Sequence, residues 1–139
     1  MIRFFIIRKH RGLGMFELTI AVNFEAAHCI RNYPGKCNRL HGHNWKVEVN
    51  IYGSQLNDLG MLVDFVDLKA AINGIMVNLD HYYLNEIEPF CRINPTAENL
   101  AKYIYEELAK TPIFNENVKL RSIRIWESPN SAAAYSQEA

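Results

Sequence analysis

The stretch CNRLHGH, residues 37–43, concentrates side chains that bind metals and move protons. It contains one of the chain's three cysteines and two of its five histidines. Thiolate and imidazole are preferred zinc ligands, and both also act as bases or nucleophiles. The stretch therefore allows three interpretations: a structural zinc site, a catalytic metal site with a base beside it, or two ordinary histidines near a thiol.

The spacing of the histidines favours a metal site. His41 and His43 are two residues apart, and on a β-strand residues at this spacing face the same side. His28, in EAAHC at the end of the preceding predicted strand, could add a third nitrogen if the two strands pair. Three protein ligands with an open position are typical of catalytic zinc, whereas a fourth ligand from Cys37 would make the site structural.

The other two cysteines do not complete a metal-binding pattern. No CxxC occurs, and Cys29 directly follows His28, so on a strand it would face the opposite side. We interpret Cys29 and Cys91 as small core or partly buried residues. An odd cysteine count without the regular spacing of a disulfide scaffold favours a reducing, cytoplasmic setting.

Two further places carry acid–base groups. Asp80 and His81, in LDHYYLNE, are predicted to end the first helix and could form a carboxylate–imidazole relay with a thiolate. A helix-terminal histidine held by a cap is the alternative for this pair. Glu127, in IWES, is predicted at the end of an apolar strand, where a solvated strand end is the alternative.

Length and composition predict one domain without a strong overall charge. The chain has 139 residues, of which 49% are hydrophobic, and Lys plus Arg and Asp plus Glu each total 15. This balance does not favour nucleic acid or an anionic membrane as partner. The apolar run FFII near the N-terminus is too short for a signal peptide or a membrane span. We expect residues 1–14 to be an extension outside the fold and residues 15–139 to form the domain.

Periodicity predicts four strands and two helices. Apolar residues alternate in MFELTIAVNF, HNWKVEVNIYG and VKLRSIRIWE, and AAAYSQ could pair with the last of these. Helical spacing indicates a helix over 65–78, after a capping Asp64, and a second helix in TAENLAKYIYEELAK. The order β-β-α-α-β-β predicts an α+β domain: a four-stranded antiparallel sheet with both helices on one face. Its exposed edges favour assembly with other copies.

Five motifs in one order resemble a known family. FEAAH, CxxxHGH, DHYYLN, NPTAENLA and WES are similar to the 6-pyruvoyltetrahydropterin synthase superfamily, most closely its 6-carboxytetrahydropterin synthase branch of queuosine biosynthesis. The resemblance extends from about Phe16 to Tyr135. It implies a tunnelling fold, a homohexamer built as two stacked trimers, active sites at subunit interfaces, a Zn²⁺ cofactor and a pterin triphosphate substrate.

The resemblance also implies a role for individual residues. The implied zinc ligands are His28, His41 and His43. The implied proton-abstracting base is Cys37, and its acid–base partners are Asp80 and His81.

The implied pterin anchor is Glu127, and Thr96 matches a region that also contacts the pterin. Arg39, with Arg31 and Lys36, offers positive charge for the triphosphate. We expect the zinc cluster and Cys37 to come from one chain and Glu127 with Thr96 to come from a neighbour.

The spacing CxxxHGH is the only local feature that separates the branches of the superfamily. It matches the short form of the carboxy branch, and Leu40 does not supply the glutamate that folate-linked members place nearby. The implied reaction converts 7,8-dihydroneopterin triphosphate to 6-carboxy-5,6,7,8-tetrahydropterin, acetaldehyde and triphosphate. The alternatives are a 6-pyruvoyltetrahydropterin synthase acting on the same substrate and, from another class, a non-catalytic zinc-stabilised interaction module. A zinc hydrolase is disfavoured because no HExxH helix is present.

Overall fold

The computed structural model describes residues 14–138. The predicted extension over residues 1–14 lies almost wholly outside the described residues, so the domain boundary stays a prediction. No helix in the described part is long and apolar enough to cross a membrane.

Five strands and two α-helices make up the regular structure of residues 14–138, with short 3-10 turns at Lys36–Asn38 and Leu84–Glu86. In chain order the elements are β1 (Phe16–His28), β2 (His41–Gly53), α1 (Phe65–Met76), β3 (Tyr82–Tyr83), α2 (Ala97–Ala109), β4 (Lys119–Ser128) and β5 (Ser131–Tyr135). The predicted α+β class and the order of the six main elements are confirmed.

The sheet has the strand order β3-β1-β2-β4-β5. The four long strands pair antiparallel, as predicted, but β3 adds a short parallel pairing to β1. The predicted four-stranded antiparallel sheet is therefore a five-stranded mixed one. Because β3 has two residues, it leaves no alternation that a sequence pattern could reveal.

The two faces of the sheet differ in polarity. On β1, Phe24 and Ala26 are buried while Asn23 and Glu25 are exposed, and β2 alternates in the same way. The buried face and the apolar sides of the helices form one core. Its members include Trp45, Val47, Val49, Ile51, Leu68, Ile72, Leu100 and Ile104. Both helices thus cover one face, and the other face is polar.

Each helix begins at a capping side chain. Asp64 accepts a hydrogen bond from the backbone N–H of Val66, and Thr96 accepts one from that of Asn99. These bonds satisfy backbone donors that a helix start leaves without a partner inside the helix. The first helix ends at Met76, two residues earlier than predicted, so Asp80 and His81 lie in the turns that follow it.

Two glycines make a matched test of this packing. A Cβ on Gly53 would overlap the carbonyl oxygen of Asn117 and lie 2.6 Å from Leu62 Cδ1, whereas a Cβ on Gly74 in α1 meets nothing within 4 Å. We expect Gly53→Ala to lower the free energy of unfolding by about 1–3 kcal/mol. We expect Gly74→Ala to raise it by about 0.5–1 kcal/mol. Urea denaturation measures both, and equal stability of the two variants would contradict the close approach at Gly53.

Candidate metal centre

The pairing of β1 with β2 brings the three predicted metal-binding histidines together. The register places His28 directly opposite His41, and His43 follows two residues later on the same face of β2. The ring centroids are 4.5 Å apart for His28 and His41, 5.0 Å for His28 and His43, and 4.8 Å for His41 and His43. All three rings lie on the helix-covered side of the sheet, at its end.

Backbone carbonyls orient two of the imidazoles. Nδ1 of His28 lies 2.7 Å from the carbonyl oxygen of Pro95, and Nδ1 of His41 lies 2.7 Å from that of Arg39. Because a carbonyl oxygen accepts only, each Nδ1 must carry the proton, which leaves a lone pair on each Nε2. This is the arrangement by which proteins orient histidine ligands of metals.

The free nitrogen atoms fit a metal ion. Nε2 of His28 and Nε2 of His43 are buried and have no hydrogen-bond partner. Burial lowers the pKa of both histidines, although the Pro95 carbonyl at His28 and the Glu127 carboxylate at His43 oppose the shift. Lowered pKa values keep these imidazoles neutral near pH 7, which is the form that binds a metal.

A carboxylate joins the three histidines. Oε1 of Glu127, near the end of β4, lies 2.9 Å from Nε2 of His43 and 3.4 Å from Nε2 of His28. One potential ligand atom from each of these four residues lies within 4.8 Å of all the others. We expected Glu127 to come from a neighbouring chain, and this expectation is wrong. No spacing in the sequence joins Glu127 to the histidines, because only the pairing of β2 with β4 brings them together.

Cys37 lies beside this cluster but outside it. The 3-10 turn Lys36–Asn38 carries the thiol, which is free and half-buried. It lines a cavity of about 390 Å³ together with His41, His43 and Glu127. Its sulfur is not among the four converging atoms. The structure therefore places Cys37 where a base could act on a molecule bound at the cluster.

Thr96 belongs to the same region. It lines an adjoining cavity of about 470 Å³ with His28, Cys37 and Glu127 of the same chain. Thr96 of the same chain thus borders this region, whereas we expected a neighbouring chain to supply it. Its hydroxyl accepts the hydrogen bond that caps α2.

The three basic residues near the cluster have different surroundings. Lys36 lines the cavity that contains Cys37, and Arg39 is exposed. The guanidinium of Arg31 instead donates to the backbone carbonyls of Asn85 at 3.2 Å, Phe90 at 2.6 Å and Ile93 at 3.3 Å. Arg31 is thus used within the fold and is a poor candidate for the triphosphate.

The remaining cysteines differ from each other. Cys29 is half-buried, as expected, and its sulfur lies 3.3 Å from the hydroxyl of Tyr83. Cys91 is exposed and its thiol donates to Glu88 at 2.8 Å, so the expectation of a core or partly buried residue is wrong there. Cys91 lies in the exposed turn that precedes α2.

Asp80 and His81 form the predicted carboxylate–imidazole pair, but not in the cavity that contains Cys37. Oδ1 of Asp80 lies 3.0 Å from Nδ1 of His81 and accepts the backbone N–H of Glu25 at 2.8 Å. The Glu25 N–H and then the His81 hydrogen bond lower the pKa of Asp80, which keeps it ionised. His81 has φ of 62°, a left-handed conformation that is uncommon outside glycine and is often found at functional sites.

Asp80 and His81 lie beside Glu25, on the polar side of the sheet. Nε2 of His81 lies 3.4 Å from the carboxylate of Glu25, whose side chain projects from the polar face of β1. His81 lines a cavity of about 530 Å³ that includes Glu25, Tyr83 and one of the three clustered histidines, His43, but neither Cys37 nor Glu127. Within one chain, therefore, the structure does not bring His81 and Cys37 to a common cavity.

The chain matches one family model and several named proteins over most of its length. A family model described as 6-pyruvoyl tetrahydropterin synthase matches residues 17–138. Proteins named 6-carboxy-5,6,7,8-tetrahydropterin synthase include one from Synechocystis sp., 36% identical, covering 81% of this chain and 87% of that protein. Another from Bacillus subtilis is 35% identical, covering 86% and 84%. One from Haemophilus influenzae is 30% identical, covering 88% and 100%.

Solved structures agree in fold. The 6-pyruvoyl tetrahydropterin synthase of Caenorhabditis elegans superposes with a TM-score of 0.77 at 25% identity, covering 91% of this chain and 98% of that one. The Plasmodium vivax 6-pyruvoyltetrahydropterin synthase, at 20% identity, shares the fold with a TM-score of 0.73, covering 91% and 99%. The tunnelling fold implied by the sequence motifs is thus confirmed, and the chain belongs to the 6-pyruvoyl tetrahydropterin synthase family.

Proposed function

We propose that the chain is a zinc-dependent 6-carboxy-5,6,7,8-tetrahydropterin synthase of queuosine biosynthesis. It converts 7,8-dihydroneopterin triphosphate to 6-carboxy-5,6,7,8-tetrahydropterin, acetaldehyde and triphosphate. The observation that carries the proposal is the cavity in which Cys37 lies beside three convergent histidines and Glu127. The name shared by relatives of 30–36% identity supports the product. The three free cysteines support a reducing, cytoplasmic setting.

The residues of the cavity have distinct roles in this reaction. His28, His41 and His43 hold the zinc ion, which when bound supplies a Lewis acid that orients the side-chain hydroxyls of the substrate. The Sγ atom of Cys37 takes a proton from that side chain. The carboxylate of Glu127 accepts hydrogen bonds from the amino and ring N–H groups of the pterin.

We propose that His81 serves the active site of a neighbouring chain. Its position on the polar face, away from Cys37, supports this arrangement. Asp80 orients the ring through Nδ1, which leaves Nε2 to exchange a proton with substrate once Glu25 releases it. The open edges at β3 and β5 and the polar sheet face support assembly into a homohexamer of two stacked trimers.

Replacing Cys37 separates the base from the metal ligands. We expect Cys37→Ala to keep one zinc per chain and lose turnover, because its sulfur lies outside the convergent group. His41→Ala, the matched ligand variant, should lose zinc. Metal analysis after gel filtration, together with single-turnover kinetics, measures both. Loss of zinc from Cys37→Ala would instead assign the thiol to the ligand set, as in a structural zinc module.

Mixing inactive variants tests the shared site. Hybrids of Cys37→Ala and His81→Ala chains should recover activity, because some interfaces combine an intact Cys37 cavity with an intact His81. Hybrids of Cys37→Ala and Glu127→Ala chains should not recover, because both residues belong to the same chain's cavity. Activity after subunit exchange measures the difference. Equal recovery in the two mixtures, or none in either, would contradict the arrangement.

Acetaldehyde release decides the product. Purified protein incubated with dihydroneopterin triphosphate should release acetaldehyde and triphosphate in equal amounts, measured by a coupled dehydrogenase assay and by phosphate analysis. Accumulation of 6-pyruvoyltetrahydropterin without acetaldehyde would assign the pyruvoyl activity, which is in the name of the similar Caenorhabditis elegans protein. The Cys37→Ala chain is the control for uncatalysed breakdown.

A further inference from the structure

The position of Glu127 allows it to bind a metal ion as well as the pterin ring. Its Oε1 atom lies 2.9 Å from Nε2 of His43, a distance ordinary for a hydrogen bond. That Nε2 atom is nevertheless one of two buried side-chain nitrogen atoms of the described residues that have no assigned hydrogen-bond partner. The same is true of Nε2 of His28, which lies 3.4 Å from the same oxygen. Potential ligand atoms of Glu127, His43 and His28 thus lie within 4.8 Å of one another.

The distances between these atoms agree with the spacing expected for ligands of one metal ion. Metal–ligand bonds of about 2.0–2.1 Å at the tetrahedral angle put neighbouring ligand atoms about 3.3 Å apart. The contacts of Oε1 with the two nitrogen atoms, at 2.9 Å and 3.4 Å, lie on either side of this value. A carboxylate oxygen beside histidine nitrogens is also a common zinc donor set.

Charge favours the same interpretation. Three neutral imidazoles leave both positive charges of a zinc ion uncompensated in a partly buried site, and one carboxylate removes half of that excess. The exposed carboxylate of Glu98, which lines the adjoining cavity with Thr96, is not part of the convergent group. Among the carboxylates of the described residues, Glu127 is the one in that group.

We propose that Glu127 is an exchangeable fourth metal ligand: it closes the metal's coordination shell while the cavity is empty and leaves it when a pterin ring takes the carboxylate. This rests on the function proposed above, in which the pterin binds Glu127. The side chain is 32% exposed, so it has room to turn between the two partners. Recognition of the ring then opens the coordination position that the substrate's side chain fills.

The exchange makes metal and ring compete for one carboxylate. A ring without a side chain should therefore weaken metal binding, and by linkage the metal should weaken binding of that ring by the same factor. The full substrate restores the lost bond through its own hydroxyls. A pterin ring without a side chain, or an unrelated anion, gains less binding free energy. Binding at the metal therefore requires both parts of the substrate.

The test uses the whole protein loaded with Co²⁺, whose visible absorption reports coordination number, and unsubstituted pterin as the probe. We expect Glu127→Gln to change the absorption spectrum and to weaken Zn²⁺ binding by at least about tenfold, the lower end of the loss seen for residues that act only on ligands. Glu98→Gln is the matched control and should change neither. Saturating pterin should move the wild-type spectrum toward that of Glu127→Gln.

Each other result has a separate meaning. Identical spectra and metal affinities for wild type and Glu127→Gln would overturn the proposal and leave the three-histidine site intact. A wild-type spectrum that saturating pterin leaves unchanged would overturn the exchange. A wild-type protein that binds neither Co²⁺ nor Zn²⁺ would overturn both this proposal and the proposed function. Thermal unfolding of the metal-free proteins checks that the variants fold. If Glu127→Gln does not fold, Glu127→Ala replaces it in every comparison.

Discussion

The register between β1 and β2 is the constraint on which the site depends. Both strands are 13 residues long, and the pairing that sets Phe24 opposite Trp45 also sets His28 opposite His41. A slip of one residue would turn one strand's buried side chains to the polar face. Because burial of Phe24 and Trp45 opposes such a slip, the hydrophobic core also holds the imidazoles in convergence. Packing of the chain itself is therefore sufficient to bring the candidate metal ligands together.

A network of amide side chains holds the loop whose Pro95 carbonyl orients His28. The Pro95 carbonyl that orients His28 belongs to a loop whose Asn94 side chain bonds the backbone N–H and C=O of Arg31, at 2.9 Å and 3.1 Å. Asn99 donates from α2 to the carbonyl of Asn94 at 2.8 Å. These bonds tie the end of β1 to the start of α2. The orientation of the His28 ring thus depends on residues outside the candidate metal-binding group.

The sheet divides the acid–base groups of the chain between its two faces. Cys37 and Glu127 share a cavity on the helix-covered side, and His81 lies with Glu25 on the polar side. The left-handed backbone at His81 is maintained by hydrogen bonds from both directions: its own N–H donates to Glu25, and Asp80 holds its ring. An isolated chain thus carries two partial sites, each preorganised by its own contacts, and the proposed assembly is what would join them.

The sequence by itself determined the local features: the alternation of the strands, the capped helices, and the i, i+2 spacing that aims His41 and His43 to one side. These follow from short-range geometry, which neighbouring residues set. The tertiary structure alone decided that Glu127 joins the histidines, that the Arg31 guanidinium binds backbone carbonyls, and that His81 and Cys37 line different cavities. Each of these depends on which distant strands pair and which face a turn emerges on. Such long-range contacts leave no periodic trace along the chain.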